Sequence, residues 1–150
     1  MAAGNWTVYS NAALGISQGS FNLATNTFQM ILVTTTYTPN ANTDALYSAV
    51  SANELTTAGG YTVGGITLAS ETDTLTTATV TFTANSPAWT TFTATFRYGV
   101  IVRRAGGSLV AGDLLLCYCD LGGGSSITGA GGTLTVTTPA GGFFTVTHSP

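Results

Sequence analysis

The sequence predicts a mainly β protein: an antiparallel β-sandwich or jelly-roll-like fold with one or two short helices near the N-terminal half. Thr79–Phe82 and Thr91–Phe96 alternate polar and apolar residues with a period of two, as strands with one buried face do. Phe28–Tyr37 is rich in β-branched and aromatic residues, which favour strands. About eight such segments, separated by turn signals, favour a sandwich over βαβ units.

The N-terminal half contains both helix predictions. Residues 7–17 place apolar side chains at every fourth position, which indicates a short helix or a helical turn. Residues 21–27 resemble a short strand and turn, and the strand Phe28–Tyr37 that follows is ended by Pro39. Asn42–Glu54 is the second helical segment, because a capping residue precedes an apolar stripe.

The remaining elements are predicted to be strands around a glycine-rich loop. The predicted strands are Ile66–Ala69, Leu75–Ala84, Thr90–Arg103, Leu114–Leu121, Thr133–Thr137 and Phe143–His148. Leu114–Leu121 begins as a nearly continuous apolar run, so we expect it to be a central strand. Residues 122–132 are of low complexity and form the loop. We expect residues 1–150 to form a single β-sandwich domain.

Charged residues make up 6% of this chain, against about 25% in an average soluble domain. The only cations among lysine and arginine are three arginines, opposed by six acidic residues. Nucleic-acid binding needs several basic groups to neutralise phosphates, so we expect no nucleic-acid partner. The longest apolar runs are far shorter than the roughly 20 residues of a spanning helix, so we expect no membrane partner either.

The two cysteines, Cys117 and Cys119, are predicted to be buried thiols. They lie two residues apart on one strand, where the separation of their Cα atoms would strain a disulfide. A zinc site needs about four ligands, and the chain has one histidine, His148. We therefore expect no metal and no cofactor.

No arrangement of reactive residues in the sequence points to catalysis. His148 could recruit Ser149 and an aspartate only from the end of the chain, and no nucleophile-elbow pattern is present. Glu71 and Asp73 could pair as acid and base, but a charged turn explains them more simply. The glycine-rich stretches lack the lysine of a phosphate-binding loop. We expect no enzyme activity.

Five side chains are candidates for contact with a partner. Trp6 and Trp89 precede threonines in loop-like surroundings, so they could be exposed at an interface or stack on a sugar ring. Arg97, Arg103 and Arg104 are expected to form the only basic spot, which could meet an acidic patch. Solvated charges at a strand end are the alternative for these arginines.

Tyrosine, glutamate and glycine residues follow a fixed spacing in the first half of the chain. They are Tyr37, Pro39, Tyr47, Val50, Glu54, Leu55, Gly59, Gly60, Tyr61, Gly64, Gly65 and Leu68. In this spacing, and in Trp89 before the long strand Thr91–Val102, the chain resembles small virion structural proteins of tailed bacteriophages. The resemblance extends to about Asp120 and implies a role in capsid decoration or in the tail, without enzyme activity.

From the resemblance and the low charge we expect a capsid decoration, or cement, protein on the outer face of the virion. Its partners would be the major capsid protein and further copies of itself, with a homotrimer as one arrangement. The opening residues lack the charged and apolar segments of a signal peptide, so we expect synthesis in the host cytoplasm. The alternative is a tail or fibre component that touches the host surface or a glycan.

Overall fold

The computed structural model describes residues 5–147, which form one α-helix and twelve strands, several of them short. The elements are β1 (Thr7–Val8), α1 (Ser10–Ser17), β2 (Thr27–Val33), β3 (Ile66–Thr67), β4 (Thr72–Thr76), β5 (Thr79–Thr83), β6 (Ala88–Phe92), β7 (Thr95–Phe96), β8 (Tyr98–Arg104), β9 (Leu114–Asp120), β10 (Ile127–Thr128), β11 (Gly132–Thr135) and β12 (Phe144–Thr147). All strand pairs are antiparallel, so the predicted mainly β, sandwich-like fold is confirmed.

The largest sheet has five strands in the order β1-β9-β8-β2-β3. β2 and β8 pair along their whole length, from Val33 opposite Tyr98 to Thr27 opposite Arg104. Six of the seven residues of β2 are buried, because both faces of this strand are covered. β9 is likewise flanked on both sides, by β1 and β8, which confirms the central strand that its apolar run predicts.

A second sheet of three strands, in the order β12-β5-β4, packs on one face of the large sheet. The contact is aromatic: the ring centroids of Phe28 on β2 and Phe82 on β5 are 5.2 Å apart. Phe143 and Phe144 also lie against Phe82, and Phe28 and Phe82 are both fully buried. This cluster joins the two sheets by burial of large apolar side chains.

The opposite side of the large sheet is covered by tyrosines. Tyr9 packs on Tyr118 of β9, and Tyr37 packs edge-on against Tyr98 of β8. The hydroxyl groups of Tyr9 and Tyr37 are 2.9 Å apart, and Tyr37 donates to Asp44 at 2.7 Å. The buried hydroxyls therefore satisfy one another in a chain that ends on a carboxylate.

The predicted helix at Asn42–Glu54 is wrong. This segment contains two single turns of 3-10 helix, Tyr47–Ala49 and Ser51–Asn53. The backbone N–H of Tyr47 donates to the carbonyl of Asp113, and that of Ser48 donates to the carbonyl of Ala111. Since these N–H groups bond to the loop before β9, they are not available for the ladder of an α-helix.

Several predicted strands differ in their ends or are divided. The segment Leu75–Ala84 contains a hairpin turn, because Thr77 has a positive φ of 57° between β4 and β5. The segment Thr90–Arg103 is divided into β6, β7 and β8, and Thr93 bonds to the carbonyl of Gly59 at the first break. The strand that begins at Phe28 ends at Val33, four residues before Tyr37. The short strand expected in 21–27 is a turn.

The first predicted helix and the last predicted strands are present with shifted bounds. α1 begins at Ser10, since Thr7 and Val8 form β1 against β9. The glycine-rich loop of residues 122–132 contains β10, which pairs with β7. Cys117 and Cys119 are buried thiols, as predicted. None of the helices among residues 5–147 is both long enough and apolar enough to cross a membrane.

Gly65 allows the chain to turn directly beside β2. Its φ is +68°, and a Cβ atom at this position would lie 2.0 Å from the carbonyl oxygen of Met30. Gly64 also has a positive φ, of +94°, but its Cβ would meet no atom within 4 Å. Substitutions at Gly64 and Gly65 therefore distinguish the cost of a left-handed backbone from the cost of a close approach to β2.

We expect Gly65→Ala to destabilise the protein more than Gly64→Ala does. Gly64→Ala carries the cost of a left-handed backbone alone, about 1 kcal/mol. Gly65→Ala adds a clash with the β2 backbone and should cost about 3 kcal/mol or more. Urea unfolding of both variants measures the difference in the free energy of unfolding. Equal losses would contradict the close approach to Met30.

Candidate functional site

One edge of β2 is covered by β8, and the other is closed by the segment 53–68. The backbone N–H of Leu55 donates to the carbonyl of Leu32 at 3.0 Å, and the N–H of Leu68 donates to that of Phe28 at 2.8 Å. Between these points β3 pairs with Gln29 and Met30. The N–H of Leu32 has no backbone partner on this side and donates to the hydroxyl of Tyr61 instead, at 3.2 Å.

A single acidic side chain, Glu54, anchors this closing segment. Its Oε1 accepts hydrogen bonds from the Tyr61 hydroxyl and the Gly64 backbone N–H, both at 2.6 Å. Its Oε2 accepts from the hydroxyl of Tyr47. Glu54 is 8% exposed and Tyr61 is 2% exposed. In the sequence these residues are visible only as a spacing, which does not predict that they form one network.

The hydrogen-bonding groups of this network are engaged with one another. Burial raises the pKa of both Tyr47 and Tyr61 far above the ordinary range, and their hydrogen bonds to Glu54 raise it further. The phenols therefore remain protonated donors at all ordinary pH values. Both oxygens of Glu54 are occupied by donors from its own chain. This arrangement suits a structural anchor, because a general base needs a lone pair directed at a substrate.

Asp113 and Asp120 are also engaged in local structure. Asp113, 1% exposed, accepts hydrogen bonds from the backbone N–H groups of Ala105 and Val110 at 3.0 and 2.8 Å. Asp120 pairs with Arg97 at 2.6 Å, and this hydrogen-bonded guanidinium lowers the pKa of the Asp120 carboxyl. Within residues 5–147 no group of three or more His, Cys, Asp or Glu side chains could hold a metal ion.

The structure separates the three arginines that were expected to form one basic spot. Arg97 precedes β8 and lies beside Asp120, whereas Arg103 and Arg104 end the same strand. Six residues of extended chain place these two ends about 20 Å apart. Arg103 donates to the carbonyl of Ser20 and lies over the Phe21 ring. The expectation of a single basic patch is therefore wrong.

The two tryptophans also differ from expectation. Trp89 is 4% exposed and stacks with Tyr61 at a centroid distance of 6.3 Å, so its expected exposure is wrong. Trp6 is partly buried and packs edge-on against Phe143, with 5.0 Å between centroids. Trp6 also lines an open cleft of about 400 Å³ together with Pro139 and Phe144. Of the two, only Trp6 can reach a ligand.

Glu71 and Asp73, the candidate acid pair, lie on a partly exposed turn and on the strand that follows it. Glu71 precedes β4, and Asp73 is an exposed residue of β4 opposite Phe82. Within residues 5–147 neither acid forms an ion pair with a basic residue. His148 lies outside the described residues.

The outer face of the three-stranded sheet consists of threonines alone. Asp73, Val80 and Val146 line a cavity with Phe21 on the inner side, so the alternate residues point outward. The strand register places these outward residues in rows, and two of them, Thr79 and Thr147, have hydroxyls 3.2 Å apart. The threonine face consists of Thr72, Thr74, Thr76, Thr79, Thr81, Thr83, Thr145 and Thr147.

An apolar groove runs along the free edge of β12. Its walls are formed by Val8, Ala13 and Ile16 on one side and by Phe144 and Val146 on the other, around a volume of about 460 Å³. Among the residues that the structure describes, no charged one lines it. The threonine face and this groove are thus neighbouring surfaces of one sheet, and both are uncharged. Neither surface contains a group able to act as acid, base or nucleophile in an activated setting.

Comparison with protein-family models, with curated proteins and with solved structures finds no match to this chain.

Replacing Tyr61 by phenylalanine is expected to destabilise the protein more than the same change at Tyr47. Tyr61→Phe removes a donor to Glu54 and leaves the Leu32 N–H buried without an acceptor, whereas Tyr47→Phe removes one donor only. We expect losses of about 3 and about 1 kcal/mol, respectively. Urea unfolding of both variants tests this order, and a larger loss for Tyr47→Phe would contradict the network.

Stability is expected to fall at alkaline pH. Burial raises the folded-state pKa of four tyrosines: Tyr9, Tyr37, Tyr47 and Tyr61. Their contribution to the free energy of unfolding is therefore complete below the tyrosine pKa of the unfolded chain, about 10. Above that pH only the unfolded chain loses these protons. The free energy of unfolding should then decrease by up to about 1.4 kcal/mol per pH unit for each tyrosine.

The chain has no lysine to titrate in the same range, and the buried Cys117 thiol, whose pKa burial also raises, adds the same contribution to the slope in the parent protein and in the Tyr61→Phe variant. Unfolding free energies between pH 8 and pH 11.5 give the slope, and Tyr61→Phe should make the slope shallower by one proton. A stability that stays constant across this range would show that the phenols ionise in the folded state.

Proposed function

We propose that this chain is a non-enzymatic structural protein of a virus particle. In this role it binds the outer face of the major capsid shell and stabilises the joints between subunits, as a decoration or cement protein. The observation that carries the proposal is the threonine face, an ordered polar surface without a charge. Hydroxyl groups can be buried in a contact with far less desolvation cost than charged groups.

The chemistry of the described residues supports a binding role over a catalytic one. Glu54 and Asp113 are buried and saturated by hydrogen bonds, and Asp120 is paired with Arg97. A chain in which 6% of all residues are charged repels other copies weakly, which suits a protein covered by neighbours in an assembly. Arginines at opposite ends of β8 give no continuous basic track for nucleic acid.

In this proposal the partners are the major capsid protein and further copies of the chain. Each copy would contribute a weak contact, and many copies on one shell would add through multivalency. A homotrimer would match the local threefold positions of an icosahedral shell. The site of action would be the outer surface of the virion.

A tail or fibre component with a glycan contact is the second candidate. The specific observation in its favour is Trp6, which lines an open cleft with Pro139 and Phe144. Aromatic rings of this kind can stack on a sugar. Trp89, the other aromatic proposed for that role, is buried and cannot contribute.

The location and copy number of the chain in intact particles separate these candidates. A calibrated gel gives the number of copies, and imaging with a specific antibody gives their position. Many copies spread over the head are the result expected for decoration. A few copies confined to the tail would favour the host-contact candidate, and absence from purified particles would overturn both.

A charge at the centre of the threonine face is expected to abolish binding to expanded, undecorated shells. Thr81→Glu would bury an unpaired carboxylate in the contact, so binding in a co-sedimentation assay should weaken by at least about tenfold. Thr133→Glu is the control for an added charge, since Thr133 is an exposed threonine of β11 in a different sheet. Because Thr81 is partly buried, circular dichroism should show that Thr81→Glu keeps the fold of the parent protein. If both variants bind equally well, another surface makes the contact.

A further inference from the structure

The strand β4 is an exposed edge of the three-stranded sheet. It pairs with β5 on one side, and no strand formed by residues 5–147 lies on the other. All five of its residues are exposed, and Leu75 is 69% exposed. Exposed edges are usually protected by charged side chains, above all lysine, or by proline or a bulge. Within β4 the only charge is Asp73, and neither lysine, proline nor a bulge is present.

The backbone groups that β4 directs away from β5 can be identified from the hairpin. Thr77 and Ala78 form a two-residue turn, so the flanking pair Thr76 and Thr79 exchange hydrogen bonds. By alternation, Thr72 and Thr74 also bond to β5. The N–H and C=O groups of Asp73 and Leu75 therefore point outward.

The opposite side of β5 gives independent support for this alternation. The carbonyl of Phe82 accepts the N–H of Phe143 at 2.8 Å, so Phe82 directs its backbone groups toward β12 and away from β4. Asp73 is the residue of β4 opposite Phe82. Since opposite residues in an antiparallel pair bond alike, Asp73 does not bond to β5.

We propose that β4 pairs with β4 of a second copy of this chain, antiparallel and two-fold symmetric about Thr74. In this register Asp73 of each copy lies opposite Leu75 of the other, and the two residues exchange both backbone hydrogen bonds. The two symmetric pairs satisfy all four outward groups of each strand. This contact goes beyond the proposed function, since it holds whatever surface the assembled protein covers.

Side-chain placement favours the same register. Thr74 lies opposite its own symmetry mate, and Thr72 lies opposite Thr76, so hydroxyl side chains meet on one face. On the other face each Asp73 faces the apolar Leu75 and not the second Asp73, which avoids two like charges in direct opposition. The strand is bounded by residues with positive φ, Ser70 and Thr77, and is centred on Thr74.

The consequence is one continuous sheet across two molecules. The two-fold axis runs perpendicular to the sheet at Thr74, so both threonine faces point in the same direction. The assembled dimer thus doubles the uncharged threonine face. An isologous contact of this kind closes on itself and does not grow into a fibre.

Disulfide trapping tests the register directly. Thr74→Cys places two thiols at a directly opposed position that is not hydrogen-bonded, with Cα atoms about 4.5 Å apart, within the range of a disulfide. Thr76→Cys is the matched control, because its symmetry mate would lie about 13 Å away along the strand. The native Cys117 and Cys119 are buried, and the unsubstituted protein measures any background from them.

With oxidised glutathione as the oxidant, we expect Thr74→Cys to form a covalent dimer and Thr76→Cys to remain a monomer. A mixture of Thr72→Cys and Thr76→Cys should form the mixed dimer. Adding Leu75→Pro to Thr74→Cys should abolish trapping, because proline removes an outward N–H that β5 does not use, and circular dichroism should show an unchanged fold. Equal trapping at 74 and 76, or none at 74 in the folded protein, would overturn the proposal.

Discussion

The fold depends on closing the outer edge of β2. This strand is buried on both faces, so its backbone groups cannot be satisfied by water and need partners from the chain. β8 supplies them on one edge, and the irregular segment 53–68 supplies them on the other. Glu54 makes that second closure possible, because one buried carboxyl group orients Tyr47, Tyr61 and the backbone of Gly64 together. Without it, the Leu32 N–H would lose the hydroxyl that accepts its hydrogen bond.

The same network explains why part of the structure could be predicted from the sequence and part could not. Strands buried on both faces leave continuous apolar runs, so β2 and β9 are visible in the sequence. The region around Glu54 is held by contacts to Leu32 and Asp113, which are distant in the chain. Its apolar spacing of four residues fits a helix equally well, and only those distant hydrogen bonds select 3-10 turns.

In the sequence, the threonine face is visible only as alternating threonines, which do not by themselves predict a continuous surface. Alternating threonines in β4, β5 and β12 indicate solvent-facing sides, but their alignment into rows depends on the register of three strands. The spacing of Tyr47, Glu54 and Tyr61, in contrast, is visible in the sequence as a pattern. The hydrogen bonds that Tyr47 and Tyr61 donate to Glu54 explain it, so this spacing is evidence about the fold.

The positions of the arginines also determine how the folded protein meets proteases. Enzymes of the trypsin class cut only after lysine or arginine, and this chain offers them Arg97, Arg103 and Arg104 alone. The last two are paired with Phe28 and Thr27 in the β2–β8 ladder, and Arg97 is tied to Asp120 beside it. An exposed loop is the usual place of cleavage, and none of the three lies on one. Digestion must therefore wait until the central sheet itself opens, which makes resistance to such enzymes a direct measure of its integrity.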